Sequence, residues 1–101
     1  MYLATPKAYL FIYSDLVGTR EKVQTTLDSM SSVNTWRYDL PNSFYVISSS
    51  TSQELANEFE QKLPTQGRFI FAEYNGFNSQ GRLSDESWHL LNNKAHKPST
   101  T

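Results

Sequence analysis

The chain reads as one α+β domain, and two observations carry that expectation. Segments with two-residue apolar alternation and segments with three-to-four-residue spacing alternate as strand, helix, strand, strand, helix, strand, then a short final helix. The first and last strands also carry apolar residues on both faces, which suits strands central in a sheet. A length of 101 residues supports one thin two-layer core and not two domains.

Residues 8–14 form the first strand, with Tyr9, Phe11 and Tyr13 on one face and Leu10 and Ile12 on the other. Asp15 and Gly18 break it, and Thr19 is placed to cap the next element. Val23, Leu27 and Met30 mark that element as a helix over about 20–31 with one apolar stripe. Thr25 and Thr26 are poor helix formers, so packing has to stabilise it.

Residues 34–39 and 44–48 form a hairpin through the turn Leu40, Pro41, Asn42, Ser43, where proline fixes φ and asparagine caps. Trp36 and Tyr38 share one face of its first strand, with Arg37 on the other. Thr51 and Glu54 have capping-box spacing, and Leu55, Phe59 and Leu63 line the helix they open, which Pro64 stops. Residues 68–74 make the fourth strand, with Phe69 and Phe71 opposed to Ile70, Ala72 and Tyr74. Ser84, followed by Asp85 and Glu86, opens a helix bearing Trp88 and Leu91.

This order predicts a ferredoxin-like βαββαβ sandwich with a short C-terminal helix over residues 1–91. Residues 92–101 are polar apart from Ala95 and read as a disordered tail. Helices can cover only one face of such a sheet. The other face carries either the Tyr9, Phe11, Tyr13 set or the Leu10, Ile12 set, and a bare apolar face predicts a homodimer. In the alternative, Trp88 and Phe77 fold back over that face in a monomer.

Composition narrows the chemistry. The absence of cysteine excludes disulfides, thiolate metal sites and thiol nucleophiles. The longest apolar run, Tyr9 to Tyr13, is far short of a membrane span, and no signal-peptide pattern opens the chain, so a cytoplasmic protein without a membrane partner is expected. Nine basic against ten acidic residues argue mildly against a domain that grips nucleic acid by charge alone. Gly18, Gly67, Gly76 and Gly81 stand singly, so no glycine-rich phosphate loop is present. His89 and His96 lack ligand spacing.

Asp15 is the best single candidate for chemistry, because a carboxylate at a strand end can bind a hard cation, with two copies sharing Mg2+ or Mn2+ at a dimer axis. The competing role is a turn-forming acid that accepts amides near Gly18. Glu73 is a second acid that could approach it, and Asp39 either pairs with Arg37 of a neighbour or faces water. Arg20 and Lys22 flank the Asp15 turn, and with Arg37 they are the candidate contacts to DNA or RNA. Tyr13 and Trp36 could stack on bases, although core packing is the commoner use.

The runs Tyr9 to Leu16, Trp36 to Ile47, Ser52 to Leu55 and Arg68 to Tyr74, with Trp88 in a terminal helix, resemble the small SinR-like proteins. Those in turn are similar to the CRISPR-associated protein two family. The resemblance covers residues 8–91. It implies a ferredoxin-like homodimer that is either a metal-dependent endonuclease or a non-catalytic scaffold binding duplex DNA. It also implies a metal role for Asp15, with Ser14 inserted where that family has its tyrosine and aspartate adjacent. The alternative is a non-catalytic binding dimer for protein or nucleic acid in which Asp15 is structural.

Overall fold

The structure is a computed structural model describing residues 5–98. Its elements are β1 (Lys7–Tyr13), α1 (Arg20–Ser29), β2 (Thr35–Tyr38), β3 (Ser43–Ser48), α2 (Ser52–Lys62), β4 (Phe69–Glu73) and α3 (Asp85–Asn93), with 3-10 turns at Asp15–Val17 and Gly76–Asn78. The fold is α+β. The sheet order is β2-β3-β1-β4, and all neighbours are antiparallel. α1 links β1 to β2 across β3, and α2 links β3 to β4 across β1, so the two crossovers interlock.

The expected caps are all formed. Thr19 Oγ1 accepts from Lys22 N, Thr51 and Glu54 close a reciprocal capping box, and Ser84 Oγ accepts from Ser87 N. Tyr9, Phe11, Tyr13, Phe44, Val46 and Phe71 pack against Val23 and Leu27 of α1, Met30 just past its end, and Leu55 and Phe59 of α2. Tyr13 and Trp36 belong to this layer; Tyr13 is buried, and Trp36 meets Phe44 edge-on at 5.3 Å and donates Nε1–H to Asp28 Oδ1.

One expectation is corrected. The central strands are β1 and β3, and β4 is an edge. β3 holds five consecutive buried residues, Phe44 to Ser48. β4 buries Phe71 and half-buries Phe69, but leaves Ile70, Ala72 and Glu73 exposed. Apolar residues on both faces mark a central strand only when both faces are covered, and here one is partly bare.

That second face carries the Leu10, Ile12 set. Leu90, Leu91 and Trp88 of α3 pack over Ala8, Leu10, Tyr45 and Ile47. Phe77 takes no part, because its side chain is wholly exposed. α3 runs through Asn93, two residues into the stretch expected to be tail, and His96 Nε2 lies 2.6 Å from Thr35 Oγ1 of β2. Residues 99–101 of that expected tail lie outside the described residues.

α1 and α2 are joined by one carboxylate. Glu58 accepts from the backbone N–H and the hydroxyl of both Ser31 and Ser32, which form the turn leaving α1. Burial alone would raise its pKa, but these hydrogen bonds, led by those from Ser32, outweigh it and bring the group down to about 2. A carboxyl depressed below its ordinary value of 4.5 stabilises the fold fully above that pH, and the contribution disappears as pH falls towards 2. Unfolding midpoints measured across that window should fall more steeply for the natural protein than for Glu58→Gln. Parallel curves would show that the clamp contributes nothing.

Candidate functional site

Asp15 opens the 3-10 turn at the C-terminal end of β1, and its side chain is exposed. Three hydrogen bonds to Arg68 and Thr65 fix the turn. Ser14 N–H donates to Arg68 O, Arg68 N–H donates back to Ser14 Oγ, and Thr65 Oγ1 donates to Leu16 O. Gly67 makes the close approach possible, since a Cβ there would stand 2.4 Å from Val17 N. Across the sheet end, Asn42 sits in the left-handed region at φ 56 and donates Nδ2–H to both Tyr13 O and Asp15 Oδ1, the latter at 2.8 Å. The Gly18 N–H goes to the Asp15 backbone oxygen.

The other expected site residues are dispersed. Glu73 does not approach Asp15, because it pairs with Tyr9 at the far end of β1, four residues of about 3.3 Å each before Tyr13. Arg20 lies in the first turn of α1, with its guanidinium 4.5 Å from the centre of the Tyr38 ring and 3.7 Å from Glu21, an exposed pair of small energetic weight. Lys22 is exposed one residue past Glu21, its stem lying beside Gly18. Arg37 is on the opposite face of the sheet from Arg20.

There Arg37 and Asp39 meet through two serines rather than directly. Arg37 Nε donates to Ser87 Oγ at 2.9 Å, and Ser87 Oγ donates to Asp39 Oδ2 at 2.7 Å. Ser84 Oγ and N also point to Asp39 Oδ2. The Ser87 hydroxyl hydrogen bond outweighs burial, which alone would raise the group, and with the Ser84 contacts holds Asp39 below the usual carboxylate range. The carboxylate thus faces the N-terminus of α3, where negative charge is favoured. Arg37 and Asp39 therefore anchor α3 within their own chain.

Asp15 can thus hold a turn, and its chemistry as a metal ligand is limited. A hard cation takes six or more oxygens. One oxygen of Asp15 is engaged by an amide N–H, and among the described residues no group of three histidine or acidic side chains gathers anywhere. Each chain therefore offers Asp15 as a single carboxylate with one oxygen engaged, and the rest of a Mg2+ or Mn2+ shell would have to come from water, phosphate or a second copy.

Asn42, Arg68 and Ile70 are visible in the sequence as a turn cap, a cation and a strand residue, but their place beside Asp15 and Ile12 is not. The turn sequence flags Asn42 as a cap, but its partner 27 positions away leaves no local signal. Arg68 and Ile70 need the β1–β4 register, in which Ile12 lies directly against Ile70. Those two are 50% and 56% exposed, and Leu40 in the hairpin turn is 48% exposed, so this end of the sheet is bare. No family model, no curated protein and no solved structure matches the chain. Among the described residues no helix is long and apolar enough to cross a membrane.

Proposed function

We propose that this chain is a ferredoxin-like homodimer acting as a non-catalytic scaffold for nucleic acid, with a second copy covering Ile12 and Ile70. The observation that carries this reading is the bare pair itself, two isoleucines opposed across β1 and the edge strand β4, which has no further strand partner among the described residues. Burying their exposed halves contributes about 1 kcal/mol for each side chain. This is less than association costs, so Leu40 and the free edge of β4 have to join the interface.

The engagement of Asp15 by Asn42 favours a structural role for the acid over hydrolysis. Lys22 and Arg68 supply positive charge around the same turn, and among the described residues neither makes an ion pair. The resemblance to SinR-like and CRISPR-associated proteins agrees with a nucleic-acid partner in the cytoplasm and leaves a hydrolytic relative as the second reading. A shared ion between two Asp15 carboxylates would need Mg2+ or Mn2+ bound across the dimer.

Sedimentation tests the dimer. The natural protein should associate at tens of micromolar, while Ile12→Asp should stay monomeric with an unchanged unfolding midpoint. A natural protein that sediments as a monomer throughout overturns the reading. Binding to single- and double-stranded DNA and RNA should weaken as salt rises. With Mg2+ or Mn2+ no cleavage above that of Asp15→Ala is expected, and cleavage lost in Asp15→Ala and with chelator would restore the hydrolase.

A further inference from the structure

The part of the second face that α3 does cover is indented by a half-open cavity of about 240 Å³. Leu10 and Tyr45 of the sheet line it, with Trp88 and Leu91 of α3, Leu83 from the preceding loop and Leu40 from the hairpin. Tyr74 adds a third aromatic ring, Ser79 and Gln80 add polar groups, and Arg82 is the one charged residue of the lining.

Tyr45 is 4% exposed, yet its hydroxyl is, among the described residues, the one buried side-chain polar atom without a hydrogen-bond partner. Unpaired polar atoms of this kind are rare in folded proteins. Burial, followed by the nearby Asp39 charge, pushes the phenol up to about 12, so it remains a donor at neutral pH. Arg37 does not complement it, its guanidinium donating instead to Ser84 and Ser87. A lone water would need two to four polar partners, and Tyr45 packs in a cluster with Leu10, Leu83, Trp88, Leu90 and Leu91.

We propose that this cavity binds a small planar ring whose hydrogen-bond acceptor takes the Tyr45 O–H and whose outer edge carries a negative group towards Arg82. The volume lies below the roughly 300 to 1,000 Å³ of ordinary ligand sites, which limits the occupant to one ring with one or two substituents. Trp88, Tyr74 and the leucines favour an aromatic ring. The inner acceptor is uncharged, a carbonyl or a ring nitrogen, because the Asp39 carboxylate disfavours an anion at Tyr45. The site uses neither Ile12 nor Asp15 and shares Leu40 with the proposed dimer face, so binding measured on monomeric Ile12→Asp separates the two proposals.

NMR titration of the intact protein with benzamide, toluene and 3-carbamoylbenzoate tests it. Benzamide should shift the Trp88 indole and Tyr45 ring signals saturably, with toluene about tenfold weaker for want of one hydrogen bond. 3-Carbamoylbenzoate should bind more tightly than benzamide, and Arg82→Ala should remove that gain. Tyr45→Phe keeps the shape and discards the unpaired hydroxyl. It should bring benzamide down to the level of toluene while leaving the unfolding midpoint unchanged or raised. Equal binding of benzamide and toluene, no saturable shift with any probe, or a lowered midpoint in Tyr45→Phe would each overturn the proposal.

Discussion

Phe11→Ala is expected to cost about 3–5 kcal/mol of stability, a large part of the roughly 5–15 kcal/mol that holds a domain of this kind together. Phe11 is fully buried and lies opposite Phe44 in β3 and Phe71 in β4. Its ring centre is 4.4 Å from that of Phe71, 4.9 Å from Phe59 and 5.5 Å from Tyr13. Each neighbour is fixed by its own strand or helix, so the void left by truncation cannot close. Urea unfolding should show a lower midpoint with an unchanged slope. Ile12→Ala, one residue along and on the partly bare face, should cost under about 1 kcal/mol in the monomer. Comparable losses at the two positions would contradict the assignment of faces.

Gly67→Ala should be nearly as damaging, for a reason of space rather than burial. Its Cβ would meet Val17 N at 2.4 Å, and Leu16 C and Val17 Cγ2 at 2.7 Å. Two of those atoms are backbone and cannot rotate away. The expected loss is about 1–3 kcal/mol, and the Asp15–Val17 turn must move, so the Asn42 side-chain amide should lose its signature of a hydrogen-bonded Asp15. Gly81→Ala is the control: nothing lies within 4 Å of a Cβ there, and shrinking the freedom of the unfolded chain should leave stability equal or slightly higher. Equal losses at both glycines would remove the steric argument.

Most of the fold was legible because local chemistry and tertiary packing agree. Val23, Leu27 and Met30 have helical spacing and are all buried against the sheet, and Thr51 with Glu54 makes the cap that their spacing announces. The rank of β4 was not legible, because Ile70 looks the same in sequence whether covered or bare. The expectation that Glu73 could approach Asp15 failed on register, which alternation alone does not set. Arg37 was legible as a cation but not as an anchor for α3, since its serine partners lie 47 and 50 positions further along. The Glu58 clamp was hidden for the same reason, its two serines lying in the turn after a different helix.

The central place of β1 has a consequence for synthesis. Its two neighbours, β3 and β4, begin at Ser43 and Phe69, so the earliest of these four strands to leave the ribosome is among the last to be satisfied. At about 5–20 residues per second, a greasy segment stays unpaired for seconds until its first partner emerges. Only the β2–β3 hairpin can close between adjacent segments; every other pairing waits for loop closure, which slows folding. A chaperone-poor translation system should therefore lose much of its yield to aggregation that starts at residues 7–13.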